Sequence, residues 1–380
     1  MIPISICIIT KNEEKFLGNC LTAIRKSLEV PIGALPIPHE IVVTDTGSTD
    51  NTREIACKYA DTVVDFKWIN DFSAARNFCI EHAKNDYILI VDSDEYITHA
   101  DWYEIDRLIQ MHPDYIGKIF MNNTQELNDT NTYFSSSLPR FFPNALYHFE
   151  SRIHEQIRPK PDYLFKMIPN ATPQDADRLI REHTMDIPIT VLHVGYVGDK
   201  NYLKKKCDRD ILLLLEDLAQ NPADPYKLFQ VGQCYNMLEQ YEEALGFYEK
   251  ALLFDLNPQM DYVKVLVQAY GNCLLHLNRY EEALQLENIY DEFATNADFV
   301  ILMGLIYANN KLYMKALAEF VKALSFSDKE VYTQGANNQI AHYNIGYINE
   351  VFGKKDMAIT QYKMCGDYPM ALARLKELTQ

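Results

Sequence analysis

Basic charge is what this sequence lacks most: 36 Lys and Arg stand against 53 Asp and Glu, a formal net charge of -17. That balance argues against non-specific nucleic-acid binding, which rests on a basic footprint, and against a polybasic anchor on a membrane surface. An anionic small substrate stays open, because a bound divalent cation reverses the local field. The acid is spread along the chain, as on any solvated, self-repelling surface. Paired cysteines are missing too. Cys7, Cys20, Cys57, Cys79, Cys207, Cys234, Cys273 and Cys365 include no C-x-x-C pair, and several fall on apolar helical faces. They read as small buried hydrophobes in a reducing compartment, not as a disulfide frame or a zinc site. No uncharged run approaches the roughly 20 residues that span a bilayer. Met1–Ser5 lacks the basic start and small-residue cleavage site of a signal peptide. These absences point to a cytoplasmic protein with no membrane span and no nucleic-acid partner.

What is present is globular: 380 residues, 48% hydrophobic and 23% charged, enough for two domains. Residues 1–95 alternate strand and helix signals. Strands are predicted at Ile4–Ile9, Glu40–Asp45, Thr62–Phe66 and Tyr87–Asp92, and helices at Glu13–Leu28, Asn51–Tyr59 and Ser73–Ala83. A Pro-rich loop (Pro31, Pro36, Pro38) follows the first helix. The order implies an α/β domain with a mainly parallel sheet covered on both faces. Ligands of such sheets bind at the carboxyl ends of the strands, where Asp45 and Asp92 fall. Residues 96–200 are less regular, and 159–188 read as an inserted loop or small helical excursion. From Asn201 a helical array begins, giving two domains, 1–200 and 201–380.

The array carries an internal repeat that resembles tetratricopeptide units over about residues 215–367. Gly232, Tyr235, Ala244, Tyr248 and Ala251 match the small and aromatic positions of one unit. A Gly-to-Ala spacing of twelve recurs at Gly271/Ala283, Gly304/Ala316 and Gly346/Ala358, with the glycines 39, 33 and 42 residues apart. Small residues there let two antiparallel helices approach while aromatics fill the neighbouring gap. Stacked helix pairs suit a peptide segment or a second subunit, so the repeats are expected to capture an acceptor or pair two copies. Tyr226, Tyr241, Tyr280 and Tyr313 are read as exposed aromatics on that surface, or as packing residues.

Chemistry concentrates in the first domain. Asp92-Ser93-Asp94-Glu95 follows an apolar strand and offers hard oxygen ligands for Mg2+ or Mn2+; a solvated acidic turn has the same sequence. Thr10-Lys11-Asn12-Glu13 ends the first strand and Asp45-Thr46-Gly47-Ser48-Thr49-Asp50 the second. Thr10, Asn12, Glu13, Asp45 and Ser48 can grip a uracil and ribose, although Ser48, Thr49 and Asp50 also suit a helix cap. Arg76, in Asn70-Asp71-Phe72-Ser73-Ala74-Ala75-Arg76-Asn77, lies on a helix leading to the acidic strand end and can reach the same pocket with Asp71; an isolated Arg is usually a surface ion pair.

In order and spacing these segments resemble glycosyltransferase family 2, with the GT-A type nucleotide-sugar fold. The resemblance implies an inverting transferase with a divalent metal, and Asp92 and Ser93 in the donor site. Leu138-Pro139-Arg140-Phe141-Phe142, Ser151-Arg152-Ile153-His154-Glu155-Gln156 and Leu192-His193-Val194-Gly195-Tyr196 resemble a subgroup whose catalytic domain precedes tetratricopeptide repeats. That subgroup includes cell-envelope sugar transferases and S-linked peptide glycosyltransferases that modify a cysteine in bacteriocin precursors. An inverting displacement needs a base on the acceptor side and a metal on the diphosphate side. Glu155 is the candidate base, with a structural salt bridge as its alternative role. Asp94, Asp92 and His193 are the candidate metal ligands, and Asp94 is counted with Glu155 as catalytic. The function expected is transfer of a glucose- or N-acetylglucosamine-type sugar from a UDP-sugar to a peptide Cys or Ser, or to a glycan or lipid of the envelope. A repeat-based scaffold with a degenerate sugar-nucleotide domain is the non-enzymatic alternative, disfavoured by intact Asp45, Arg76, Asp92 and Asp94. Nucleotidyl transfer is disfavoured because Thr10–Glu13 is not a Gly-rich basic loop.

Overall fold

The computed structural model describes residues 1–29, 34, 36–127, 130–194, 200–327 and 330–379. Pro31 of the Pro-rich loop, and Gly195 and Tyr196 of the last motif, lie outside them. The chain divides into two units, Met1–Gly198 and Asp199–Gln380.

In the first unit the elements run β1 (Ile4–Thr10), α1 (Leu17–Ser27), β2 (His39–Asp45), α2 (Thr52–Tyr59), β3 (Thr62–Asp65), α3 (Phe72–Glu81), β4 (Tyr87–Ile90), β5 (Glu95–Ala100), α4 (Trp102–Met111), β6 (Ile116–Leu127), β7 (Thr130–Pro143), β8 (Tyr147–Glu150), β9 (Gln156–Pro159), α5 (Pro161–Met167), α6 (Pro173–Glu182) and β10 (Thr184–His193). Eight strands form one sheet in the order β3-β2-β1-β4-β7-β6-β10-β5, and β8 pairs with β9 apart from it. The first four strands are parallel, with Thr10 level with Asp45 and Asp45 level with Asp65. The side chains of β1 alternate between two cores. Ile4, Ile6 and Ile8 join Leu17, Leu21 and Ile24 of α1 on one face, and Cys7 joins Cys79 and Ile80 of α3 on the other. Burial on both faces is why this strand reads as an unbroken apolar run.

The sheet as a whole is mixed, which corrects the expectation of a mainly parallel one. β7 runs antiparallel to both β4 and β6, and β10 is parallel to β6 but antiparallel to β5. The extra strands come from the stretch read as irregular. The long β6–β7 hairpin pairs Gly117 with Phe141 at its base and Leu127 with Thr130 at its tip. Its outer half is rich in Asn, Thr and Ser and lacks the alternation that betrays a strand. Two helices, α5 and α6, fill most of the 159–188 excursion, α6 opening on a capping box between Thr172 and Asp175.

The second unit is helical: α7 (Lys200–Gln220), α8 (Pro225–Met237), α9 (Tyr241–Leu252), α10 (Asp261–His276), α11 (Tyr280–Ala283), a 3-10 segment (Leu284–Ile289), α12 (Tyr290–Phe293), α13 (Ala297–Asn309), α14 (Tyr313–Ala323), α15 (Gln339–Val351), α16 (Lys355–Met364) and α17 (Pro369–Thr379). The repeat glycines sit where one helix of a pair crosses the next. A Cβ on Gly232, Gly304 or Gly346 would run into the ring of Tyr248, Phe320 or Tyr362, each sixteen residues later. The twelve-spaced alanines Ala244, Ala283, Ala316 and Ala358 are fully buried. The second repeat has Glu287 where the others place the ring, and there the second helix breaks into α11, the 3-10 segment and α12. Tyr226, Tyr241, Tyr280 and Tyr313 are half-buried, not exposed. Tyr241 stacks on His276 at 4.2 Å, and Tyr226 meets Tyr262 edge-on at 5.1 Å. All cysteines except Cys57 are buried. Among the described residues no helix is long and apolar enough to cross a membrane.

Candidate active site

Strand order brings the ends of β2, β1 and β4 side by side, and with them Asp45, Thr10 and Asp92. Asp45 is 3% exposed; its Oδ1 accepts from the backbone N–H groups of Gly47 and Ser48, both at 2.7 Å. Gly47 (φ +103°) supplies the left-handed backbone of this turn at no steric cost. The other oxygen, Oδ2, is buried without a hydrogen-bond partner, as is the Thr10 hydroxyl. Buried polar groups are normally paired, so these two unmet oxygens at the strand ends are candidates to meet the donor groups of a ligand. Asn12 and Ser48 lace the two turns: the Asn12 N–H donates to Ser48 Oγ (3.0 Å), and its Oδ1 accepts from the Thr49 N–H (2.8 Å). The Glu13 N–H donates to Thr52 Oγ1 at 2.7 Å. Asn12, Ser48 and the Glu13 backbone thus shape the rim.

Asp71 is the N-cap of α3, accepting from the Ala74 N–H and the Ser73 hydroxyl, both at 2.8 Å. One turn on, Arg76 is 5% exposed and bridges two carboxylates. Its Nη2 donates to Asp92 Oδ1 at 2.8 Å and its Nε to Glu155 Oε1 at 2.5 Å. Asp92 Oδ2 accepts from Arg140 Nη2 at 2.8 Å, and the same nitrogen reaches Glu95 Oε1 at 3.0 Å. Glu95 Oε2 in turn accepts from the Asp92 N–H at 2.9 Å. Burial alone would raise the Asp92 carboxyl, but the guanidiniums of Arg140 and Arg76 outweigh it and hold it well below the usual carboxylate range. Glu95, 1% exposed, moves the other way: burial raises it despite Arg140.

Asp94 turns to a different partner. Its Oδ2 lies 3.2 Å from His193 Nε2, and its carbonyl accepts from the Val194 N–H. The antiparallel register of β10 on β5 sets His193 opposite Glu95, beside this turn. Among the described residues no three His, Cys, Asp or Glu side chains are grouped to hold a metal. A carboxylate and an imidazole fit a cation that completes its shell with water and substrate phosphates, as Mg2+ and Mn2+ do, and do not fit a closed protein cage. Both Asp92 oxygens are engaged by arginines, so in this arrangement it joins them and not the Asp94–His193 pair. Ser93, between them, is 6% exposed. Glu155 lies in the loop before β9, where Ser151 (φ 78°) and His154 (φ 51°) adopt left-handed backbone although neither is glycine. Such conformations persist where surrounding contacts enforce them, and they cluster at functional sites. The Phe72 N–H donating to the Arg152 carbonyl at 2.8 Å is one such contact.

Arg140 and Glu95 were not singled out as site residues by sequence, yet they complete the charged network. The available signal was a lone Arg between Leu138 and Phe141 in a strand whose neighbours are buried aromatics.

Residues 5–165 match the model of Glycosyl transferase family 2. The chain is 26% identical over 314 residues to the SPbeta prophage-derived glycosyltransferase SunS of Bacillus subtilis, covering 80% of this chain and 67% of that protein. It is 25% identical over 300 residues to a TPR repeat-containing protein of Synechococcus elongatus (75% and 66% covered). Among solved structures, TarS 1-349 of S. aureus in complex with UDP-GlcNAc aligns over 88% of this chain and 99% of that one, at 17% identity and a TM-score of 0.37. Residues 5–165 thus carry a Glycosyl transferase family 2 domain, and the chain is a glycosyltransferase that carries tetratricopeptide-type repeats.

Proposed function

We propose that this chain is an inverting, metal-dependent glycosyltransferase that moves a glucose- or N-acetylglucosamine-type sugar from a UDP donor to a cysteine or serine side chain of a peptide. The observation that carries the reading is the rim of β1, β2 and β4. There Asp45 and Thr10 present unmet buried oxygens beside an arginine–carboxylate network and an Asp94–His193 pair. The peptide acceptor is supported by the helical repeats, whose stacked pairs suit a peptide segment, and the match to the glycosyltransferase SunS, at 80% of the chain, extends into them. In this reading Asp45 Oδ2 and the Thr10 hydroxyl meet donor groups of the uracil and ribose, and Asn12, Glu13, Ser48, Asp71 and Ser93 shape the pocket. Asp94 and His193 hold Mg2+ or Mn2+, which when bound supplies Lewis-acid neutralisation of the departing diphosphate.

Glu155 Oε1 is engaged by Arg76, so accepting the acceptor's proton falls to Oε2. The acceptor sulfur or oxygen bonds to the anomeric carbon as its proton passes to Glu155. The carbon–oxygen bond to UDP breaks on the opposite face, its electron pair leaving with the diphosphate. The reaction inverts the anomeric centre because attack and departure are in line. The repeats serve acceptor capture or pairing of two copies, and the protein acts in the cytoplasm. The experiment is a screen of UDP-sugars for cation-dependent UDP release, with and without cysteine- and serine-containing peptides. Transfer to a peptide supports the reading, and transfer only to envelope glycan or lipid acceptors contradicts the peptide assignment.

A further inference from the structure

We infer that Arg140 is a positioning residue for the transfer step, acting on Glu155 through Asp92 and Arg76. The inference rests on the reading of Glu155 as the base. Five side chains alternate in charge, Glu95–Arg140–Asp92–Arg76–Glu155, with links of 3.0, 2.8, 2.8 and 2.5 Å. They join β5, β7, the exit of β4, α3 and the loop before β9. The outer end is fixed: Glu95 is 1% exposed, and its second oxygen accepts from the Asp92 N–H. The inner end is the Glu155 loop with its left-handed Ser151 and His154.

Competition for oxygens makes the chain transmit. Each Asp92 oxygen is committed to a different guanidinium, so Arg76 receives one oxygen from Asp92 and must take its other acceptor from Glu155. Arg76 Nη1 and Arg140 Nε are buried without partners, so neither arginine has a spare acceptor to retreat to. If Arg140 lets go, Asp92 can turn both oxygens to Arg76 in the bidentate fork that guanidinium and carboxylate prefer. Taking both Asp92 oxygens through Nη1 and Nη2 turns the Arg76 guanidinium and shifts the Nε that tethers Glu155 and its left-handed loop.

The test is a double-mutant cycle with Arg140→Lys and Glu155→Gln. It is read as UDP release from UDP-glucose or UDP-N-acetylglucosamine with water as acceptor, alongside UDP affinity by calorimetry. Arg140→Lys is expected to lower kcat about tenfold or more while UDP affinity stays within about threefold. In the Glu155→Gln background the same substitution should add no more than about a twofold loss, because the two act through one step. Losses that multiply, or a UDP affinity that falls in step with kcat, overturn the inference. Should Arg140→Lys fail to fold, Glu95→Gln loosens Arg140 from the outer end, and its kcat loss must likewise vanish in the Glu155→Gln background. Normal turnover by Glu155→Gln alone sinks the base reading itself, a result distinct from multiplicative losses, and the inference falls with it.

Discussion

Asp92 carries two guanidiniums, which ties its ionisation to the acid stability of the first unit. Its carboxyl is held below the ordinary value of about 3.9, so its contribution is fully present above that pH and is lost as pH falls through the lower, folded value. Asp92→Asn should therefore lower the melting temperature at pH 7. Its gap to the wild type should narrow below about pH 4, where the carboxyl of the unfolded chain begins to protonate while the folded one stays ionised; a constant gap from pH 7 to pH 3 would mean that the paired charge does not matter. Glu155→Gln should keep UDP affinity and cut transfer to a hydroxyl acceptor by about 100-fold or more. A thiol, with a free pKa near 8.5, needs the base less and should lose less. Equal, near-normal rates for both acceptors would make Glu155 a structural ion-pair partner of Arg76. The placement of Asp45 and Asp92 was legible because they end apolar strands, and that of Arg76 because its helix leads to the acidic strand end, where it meets Asp92. Asp71, expected in the donor site, is the N-cap of the third helix, a role that its position before Phe72-Ser73-Ala74 also fits. Arg140 stands within Leu138-Pro139-Arg140-Phe141-Phe142, which by itself assigns it no role. Its partners lie 45 and 48 residues away, and spacing along a chain says nothing about such pairs.

Among the elements, the repeats were read well from small residues. Backbones cannot approach unless the side chain at the crossing is nearly absent, so Gly232, Gly304 and Gly346 mark it. The sequence's uneven glycine spacing has a physical counterpart in the second repeat, where Glu287 replaces the ring and the helix breaks. Gly232→Ala should destabilise the second unit by about 1–3 kcal/mol, because the Tyr248 ring occupies the space of the new methyl. Gly246 in α9 has nothing within 4 Å of a Cβ, and Gly246→Ala should stabilise by about 0.5–1 kcal/mol through helix propensity. Denaturant melts of the two variants, followed by helical circular dichroism, check this; shifts of the same sign would contradict the packing account. The β6–β7 hairpin was missed because its pairing with the strands beside it, not its own alternation, makes it a strand.

In the whole molecule, the proposed function gives the chemistry to the first unit and acceptor capture or self-association to the second. A chain ending at Gln220, after α7, should still bind UDP-sugar and hydrolyse it slowly, with a sharply lower affinity for a full-length peptide acceptor. Unchanged glycosylation of that acceptor would remove the repeats from recognition, and an insoluble product would favour a buttressing role. The central claim is that a divalent cation held at Asp94 and His193 enables the departure of UDP. The most direct measurement is UDP release from UDP-glucose and UDP-N-acetylglucosamine by wild type and Asp94→Asn, with Mg2+ or Mn2+ and then with excess chelator. The account predicts release by the wild type that stops in chelator, and almost none from a correctly folded Asp94→Asn. Full activity of Asp94→Asn in excess chelator would contradict it.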